Sequence, residues 1–225
     1  MSRPMRYCPN CGAPTEFKIP DGDDRKRNVC TATGEIFYDN PRNVVGTIIE
    51  ADGAILMCRR AIEPRLGFWT LPAGFLELGE TAAEGGTRET WEEAGIVAGD
   101  LSLHSMIDVT HIGQIHIFFT AVQQGEREPA GPESGEVAFV PIDKIDWSQL
   151  AFPTIHRALT RYIADRETGT RDVHVEALGA DDWKAMNLAA TPRYCARERP
   201  SAGRLSANRT APRDPRTSRG TRRNA

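Results

Sequence analysis

The sequence predicts an α/β protein that begins with a small β module. Short runs of apolar and β-branched residues at 43–50 and 54–59 are typical of strands. One helical pattern begins at Thr81 and another at Pro153. Ahead of all of these, residues 1–38 carry two compact turns that contain cysteine. We therefore expect one main domain of strands and helices that follows a separate N-terminal module.

Residues 1–38 are the first predicted domain, and they are similar to a zinc ribbon. A segment this short cannot bury a core of its own, so a bound metal would help it fold. Cys8, Cys11 and Cys30 are the candidate zinc ligands, and Thr33 stands where a fourth cysteine is expected. Structural zinc normally takes four nitrogen or sulfur ligands. Three outcomes stay open: zinc on three thiolates plus a water or borrowed group, weakly bound zinc, or a ribbon that folds without metal.

Residues 39–165 are the second predicted domain. Asp52-Gly53 separates its first two strands and is a hairpin signal. Its last helix opens at Pro153 and has an apolar stripe that includes Ile155 and Leu159. The predicted strands cover residues 43–50, 54–59, 101–109, 113–122 and 136–141.

Residues 82–93 are predicted to form a helix. Thr81 and Glu84 have the spacing of a capping box, in which each side chain accepts a backbone N–H of the first turn. Gly95 is a natural stop at the C-terminal end. Gly85 and Gly86 lie inside the helix, where each glycine costs roughly 1 kcal/mol relative to alanine.

This helix carries a glutamate trio, Glu89, Glu92 and Glu93. Their i, i+3 and i+4 spacing places them on one face of the helix. A solvated acidic face is the simple alternative, but three crowded carboxylates repel one another, and a divalent cation would neutralise them. Carboxylate oxygens suit Mg²⁺ or Mn²⁺, which bridge to substrate phosphates.

The segment from Gly74 to Ile96 resembles the signature of the Nudix hydrolase family. It reads glycine, five residues, Glu80, seven residues and then RETWEEAGI. Thr90 departs from the family pattern, which prefers an aliphatic residue there. Residues 5–165 resemble a subgroup with an N-terminal zinc ribbon, whose members hydrolyse ADP-ribose, FAD and related dinucleotides. The resemblance implies an α/β/α sandwich around a mixed sheet.

The resemblance also implies roles for the charged residues of the signature. The glutamate trio would bind Mg²⁺ or Mn²⁺, and Arg88 would hold the glutamates in place through charged hydrogen bonds. Glu80 would support the metal site or contact a bound water. A further carboxylate that acts as a metal ligand or as a base is expected from the GPES loop, residues 131–134. Glu133 in this loop is the candidate, and Glu136, two residues after the loop, is the competing candidate.

Three more residues are candidates for substrate binding. Arg59 and Arg60 follow a strand, and one of them could contact a substrate phosphate, although a surface arginine is the simple alternative. Trp69 could stack on a base or pack in the core. Cys58 lies in an apolar strand and is expected in the core.

The last part of the chain, residues 166–225, is predicted to be an extension. A strand and a short helix around Trp183 are expected in it, followed by disorder from about residue 191.

Residues 192–225 hold ten arginines and two acidic residues, so the rest of the chain has a net charge of −11. An acidic body suits an anionic substrate only when cations mediate the contact. The basic tail lacks interleaved aromatic residues, so we do not expect a nucleic-acid partner, and we expect no specific role for Cys195.

These observations favour a metal-dependent pyrophosphatase with a small nucleotide substrate. ADP-ribose ranks first, FAD second and NADH third, because the SQPWPFP stretch of the NADH-specific subgroup is missing after the signature. The alternatives are hydrolysis of oxidised nucleoside triphosphates and a binding module that senses a nucleotide.

Similar enzymes often form homodimers, so a homodimer is expected here. Without a signal peptide or a run of roughly 18 apolar residues, we expect a cytoplasmic protein with no membrane contact.

Overall fold

The computed structural model describes residues 4–189, which include the main domain and the start of the extension. The predicted disorder from about residue 191, the basic tail and Cys195 lie outside the described residues. Between residues 4 and 189, no helix has both the length and the apolar composition needed to cross a membrane.

The N-terminal module is a three-stranded antiparallel sheet. Its strands are β1 (Thr15–Lys18), β2 (Arg27–Cys30) and β3 (Ile36–Phe37), in the order β1-β2-β3. Two equivalent turns flank this sheet: the Gly12 N–H donates to the Cys8 carbonyl, and the Gly34 N–H donates to the Cys30 carbonyl, both at 2.9 Å. The module is thus folded around the two predicted cysteine turns.

The main domain is a mixed sheet with helices packed against it. Its strands are β4 (Arg42–Ala51), β5 (Ala54–Arg60), β6 (Trp69–Thr70), β7 (Ala73–Phe75), β8 (Val97–Val109), β9 (Gln114–Gln124), β10 (Ser134–Pro141) and β11 (His174–Ala177). The main path of the sheet runs β10-β5-β4-β9-β8-β11, while β6 pairs with β5 and β7 with β4. Two pairs, β4–β9 and β8–β11, are parallel and the others are antiparallel. The predicted α/β fold with a mixed sheet is therefore confirmed.

Alternation along the central strands gives the sheet two buried faces. Ile48 of β4 belongs to one core cluster, and its neighbour Ile49 belongs to another. In the same way Met57 and Cys58 of β5 fall in different clusters. Successive side chains of a strand point to opposite faces, so two layers can cover this sheet.

Within residues 4–189, three helices accompany the sheet: α1 (Ala82–Ala94), α2 (Pro153–Thr168) and α3 (Ala180–Ala189). Ala94 of α1 packs in the cluster that contains Ile49, whereas Ile155 and Leu159 of α2 pack in the cluster that contains Ile48. The two helices therefore contribute to opposite faces of the sheet, as a sandwich requires. Two short 3-10 helices, Ile142–Lys144 and Trp147–Gln149, precede α2.

The strand β8 is longer than the sequence predicts. The expected strand began at residue 101, and the observed one begins at Val97. The register of β8 against β9 shifts between Gly99 and Ser102, and Asp100 has a φ of 50°. A β-bulge of this kind lets a strand continue through a Gly-Asp pair that reads as a turn.

Candidate active site

One cleft of about 930 Å³ brings together most of the charged residues singled out by the sequence. Its volume lies within the roughly 300–1,000 Å³ that is usual for small-molecule sites. One side of its lining is charged, and we call it the carboxylate wall: Arg88, Glu89, Glu92, Glu93 and Glu133. Another part is apolar, and we call it the aromatic wall: Ile112, His116, Phe152, Ile155 and Trp183.

The carboxylate wall is positioned by the capping of α1. The Thr81 side chain accepts the Glu84 N–H, and the Glu84 side chain accepts the Thr81 N–H, which is the predicted capping box. Gly95 ends the helix in the left-handed region with a φ of 67°. Because both ends are fixed by local residues, the helical face that carries the glutamate trio is fixed as well.

Arg88 binds three carboxylates at once. Its Nε and Nη2 contact both oxygens of Glu80 at 3.0 and 2.7 Å, a bidentate arrangement. Its Nη1 contacts Glu89 at 2.7 Å and Glu92 at 3.0 Å, and Nη2 also donates to the Phe75 carbonyl. The ion pair with Arg88, together with the Glu77 N–H, lowers the pKa of Glu80 to about 2. Glu80 is not part of the cleft lining, so its contact with the wall runs through Arg88.

Glu93 is the most buried member of the glutamate trio, with 7% of its surface exposed. Its Oε2 accepts the backbone N–H of Ala73 at 3.0 Å. Burial is the main reason that the pKa of Glu93 rises to about 7, and the nearby charge of Glu89 raises it further. Burial also raises the pKa of Glu89. Charged carboxylates in this position call for a compensating cation.

Gly74 leaves room for the carboxylate of Glu89. A Cβ atom at Gly74 would lie 2.3 Å from the carboxyl carbon of Glu89, so a side chain there would displace this carboxylate. The glycine therefore lets β7 approach the carboxylate closely. This contact explains why the signature begins with a glycine in this chain.

The loop that carries Glu133 packs on the C-terminal end of α1. The Gly131 N–H donates to the Glu92 carbonyl at 2.8 Å, and the Glu128 N–H donates to the Gly95 carbonyl at 2.7 Å. The Glu133 charge is close enough to contribute to the raised pKa of both Glu89 and Glu93. Helix carbonyls that lack partners within the helix thus hold the loop in place.

Glu136, the competing candidate for the further carboxylate, lies outside the cleft. It contacts Arg59 at 3.4 Å in an exposed ion pair on β10 and β5, and neither residue lines the cleft. Arg60 does line the cleft, and its guanidinium carbon lies over the Phe152 ring, 5.2 Å from the ring centroid. Its charge acts on Glu93, so Arg60 adjoins both walls. Trp69 packs against the core cluster on the α2 face and is not among the lining residues.

The aromatic wall is assembled from three separate parts of the chain: residues 112–116, residues 152–155 and Trp183. Phe152 and Trp183 stack with ring centroids 6.5 Å apart. His116 lies on β9 with 6% of its surface exposed, and its Nε2 is 2.9 Å from Gln114. Burial lowers the pKa of His116 to about 4, so the ring is neutral at physiological pH. In the sequence His116 alternates with the apolar Ile115 and Ile117, which predicts that it faces solvent or a cleft, but nothing there indicates that Phe152 and Trp183 would lie beside it.

Thr90, the departure from the signature, is fully buried and fully paired. Its hydroxyl donates to the Gly86 carbonyl at 2.6 Å and lies 2.6 Å from the hydroxyl of Thr47. Because the one hydroxyl proton of Thr90 goes to Gly86, Thr47 is the donor in the pair. The polar residue therefore joins α1 to β4 and leaves the helix intact.

The donor atoms at both predicted metal sites fit their ions. The glutamate trio offers only carboxylate oxygens, with Glu93 buried and in need of a cation, and this donor set suits Mg²⁺ or Mn²⁺. In the N-terminal module the sulfur atoms of Cys8, Cys11 and Cys30 lie within 4.8 Å of one another.

Thr33, at the place of the missing fourth cysteine, contacts one of these sulfur atoms. Its backbone N–H donates to Cys30 at 3.4 Å. The hydrogen bond from the Thr33 side chain is the largest of the effects that lower the pKa of Cys30 to about 6. Thr33 thus favours the thiolate form of a neighbouring cysteine, which is the form that binds zinc.

Two family models match the chain. The NUDIX domain matches residues 39–163, and the model described as Nudix N-terminal, a zinc ribbon, matches residues 6–39. A NUDIX hydrolase from Nitrosomonas europaea, known from its crystal structure, has 37% sequence identity and a TM-score of 0.74. The match covers 78% of this chain and 99% of that one.

Curated relatives share the same region. Phosphatase NudJ of Escherichia coli is 40% identical over 150 residues, which are 64% of this chain and 94% of NudJ. The ADP-ribose pyrophosphatase of Methanocaldococcus jannaschii is 35% identical over 120 residues, which are 51% of this chain and 69% of that protein. A MutT-like protein of Streptomyces ambofaciens is 35% identical over 103 residues, which are 46% of this chain and 65% of the relative. The chain thus spans only about two thirds of the length of the last two relatives.

Proposed function

The chain belongs to the Nudix hydrolase family, and on that premise we propose that it hydrolyses the pyrophosphate bond of a nucleoside diphosphate derivative. ADP-ribose or FAD is the preferred substrate, NADH is a poorer one, and the products are AMP and a second monophosphate. The observation that carries this proposal is the cleft itself, in which Arg60 joins a carboxylate wall to an aromatic wall. A substrate with a charged centre and a flat base matches both walls.

Each part of the carboxylate wall has a role in the proposal. The glutamate trio would hold Mg²⁺ or Mn²⁺, which would supply Lewis acidity toward the phosphate oxygens and make an attacking water easier to deprotonate. Arg88 keeps Glu89 and Glu92 oriented, and Glu80 in turn fixes Arg88. Glu133 is the base that takes a proton from the attacking water or an additional ligand. The water oxygen bonds to one phosphorus atom, the bridging P–O bond breaks, and the other phosphate leaves with that bridging oxygen.

The aromatic wall and Arg60 bind the substrate. Arg60 contacts a phosphate oxygen, since its guanidinium faces the cleft between the two walls. Trp183 and Phe152 offer ring faces on which a base stacks, an interaction worth roughly 1–3 kcal/mol per base. This wall lies next to the charged one, so a dinucleotide fits better than inorganic pyrophosphate.

Release of inorganic phosphate is the second candidate reaction. It is favoured by the likeness to phosphatase NudJ, of which the chain matches 94%. Hydrolysis of oxidised nucleoside triphosphates and nucleotide sensing without turnover remain weaker alternatives. A sensing module has no need of an intact glutamate trio.

One screen separates these reactions. The full-length protein is incubated with Mg²⁺ or Mn²⁺ and ADP-ribose, FAD, NADH, an oxidised nucleoside triphosphate or a nucleoside diphosphate, and the products are resolved by chromatography. We expect AMP from ADP-ribose and FAD, with NADH cleaved more slowly. Faster release of inorganic phosphate, or of pyrophosphate from the triphosphate, would contradict the proposal.

Other expectations remain predictions. These are domain boundaries near residues 38 and 165, zinc in the N-terminal module, a homodimer and a location in the cytoplasm. Metal analysis of the purified protein, light scattering and cell fractionation test the last three.

A further inference from the structure

We propose that His104, Asp165 and His174 form an additional metal site that takes one Zn²⁺ ion. The three side chains come from β8, the last turn of α2 and the first residue of β11. One ligand atom from each lies within 4.8 Å of the other two. None of the three lines the cleft, so the site is separate from the carboxylate wall.

The hydrogen bonds of the cluster leave a lone pair that faces its centre. His104 Nε2 lies 3.2 Å from the Ala158 carbonyl oxygen, which can only accept, so Nε2 carries the proton. In the neutral ring Nδ1 then holds the lone pair, and it lies 3.8 Å from Asp165 Oδ2. His104 is only 3% exposed, and a cation between these two electron-rich atoms would stabilise both of them in the interior.

A proton on His104 is the less favourable cation. Burial is the largest effect on the pKa of His104 and lowers it, and the neighbouring His174 lowers it further, against the opposing effects of Ala158 and Asp165. Burial therefore favours the neutral ring, which is the form that binds a metal. A divalent ion would provide positive charge without protonating the ring.

The distances in the cluster suit a tetrahedral ion. Bonds of about 2.0–2.2 Å to zinc place the ligand atoms roughly 3.3–3.5 Å apart. Asp165 Oδ2 lies 2.9 Å from His174 Nε2 and 3.8 Å from His104 Nδ1, one value on each side of that range. The ion would replace the His174–Asp165 hydrogen bond, and the His174 proton would then reside on Nδ1. Two imidazoles and one carboxylate are a known zinc ligand set that leaves a fourth position for water.

Neighbouring groups already orient two of the three ligands. The Ala158 carbonyl fixes the tautomer of His104, and the Thr170 hydroxyl donates to Asp165 Oδ1 at 3.4 Å. Outer contacts of this kind are a regular feature of protein zinc sites. A bound ion would join β11 to the sheet and to α2. Only Leu178 and Gly179 separate β11 from α3, so it would also hold the helix that carries Trp183.

Zinc binding to four forms of the full chain tests this site. The wild type, H174Q, D165N and the control H156Q are stripped of metal, supplied with excess Mg²⁺ to fill the carboxylate wall, and titrated with Zn²⁺. His156 is also on α2 but bonds to Thr160 outside the cluster. We expect the wild type and H156Q to bind one more Zn²⁺ than H174Q and D165N, or to bind it at least about tenfold more tightly.

The same number of zinc ions with the same affinity in all four proteins would overturn the site and leave a hydrogen-bonded cluster. Circular dichroism and Mg²⁺-dependent hydrolysis show whether the variants are folded. If both cluster variants unfold, the wild type with its thiols chemically blocked decides the question. One zinc ion retained by that protein supports the site, and none overturns it.

Discussion

The two walls of the cleft are built in different ways. The carboxylate wall comes from one helix and one adjoining loop. Arg88 forms ion pairs with two of its glutamates, Glu89 and Glu92, and with Glu80 outside the wall. The aromatic wall takes its residues from three segments far apart in the sequence, around His116, Phe152 and Trp183. By the proposed function, the first wall performs the chemistry and the second selects the substrate. The comparison indicates that reactivity is encoded locally in this chain, whereas selectivity depends on its tertiary structure.

Substitutions in the carboxylate wall should have the largest effect. E92Q and E93Q each remove a negative charge from the predicted metal site while keeping the shape of the side chain. We expect kcat to fall by about two to four orders of magnitude, or roughly 3–5 kcal/mol in the activation barrier. Initial rates with ADP-ribose and Mg²⁺ measure the effect.

E136Q is the matched control for these two variants. Glu136 is exposed and lies outside the cleft, so its rate should match the wild type. Circular dichroism should show folded protein for all three. Near-wild-type turnover in E92Q or E93Q would remove the glutamate trio from the mechanism.

Acid should act on the aromatic wall through His116. Burial lowers the pKa of this ring from 6.5 to about 4. Between these two pH values His116 is therefore protonated in the unfolded chain but neutral in the folded protein. The free energy of unfolding should therefore decrease as the pH falls from 6.5 toward 4, by up to roughly 3 kcal/mol. Urea unfolding at pH 7 and pH 4.5 measures the loss, and H116Q should lose less. An identical loss in the wild type and H116Q would show that His116 does not cause it.

The role of the aromatic wall in selection is tested at Trp183. W183A removes a ring on which a base stacks, so we expect KM for ADP-ribose and FAD to rise by about tenfold, ~1.4 kcal/mol, with kcat within about twofold. W147A is the control, because Trp147 packs against His156 and does not line the cleft. If W183A lowered kcat and left KM unchanged, the division of roles between the two walls would be wrong.

The smallest effects concern the two glycines of α1. A Cβ at Gly85 would lie 2.8 Å from Glu80 and 2.9 Å from Leu76 and Val45, whereas a Cβ at Gly86 would meet nothing closer than 3.6 Å. G85A should therefore lower the melting temperature, and G86A should stabilise the protein by up to ~1 kcal/mol. Thermal unfolding compares the pair, and a lower melting temperature for G86A would contradict this account.

The carboxylate wall could be predicted because its determinants are close in sequence. Thr81, Glu84 and Gly95 delimit a helix whose observed end differs from the predicted one by a single residue. The GPES loop could also be placed near the trio by resemblance. The contact of Arg88 with Glu92 follows from their i, i+4 spacing, whereas its contact with Glu80 depends on how the segment before the helix folds.

The aromatic wall could not be predicted in the same way. A short helix around Trp183 was expected, but its place at the cleft depends on the parallel pairing of β11 with β8. Neighbouring residues of a strand point to opposite faces, so one of Arg59 and Arg60 had to face away, yet only the completed sheet shows that Arg60 faces the cleft. Trp69 packs against the core cluster on the α2 face, which likewise depends on the completed sheet.

The position of Trp183 has a consequence for how this protein could change over evolutionary time. The helix α3 begins at Ala180, while the match to the NUDIX domain ends at residue 163. By the proposed function, Trp183, on which a base stacks, and the glutamate trio, which acts on the phosphoanhydride, thus occupy stretches of gene that recombination can separate. Exchange of the terminal stretch alone would offer a lineage new substrates while its reaction stayed the same.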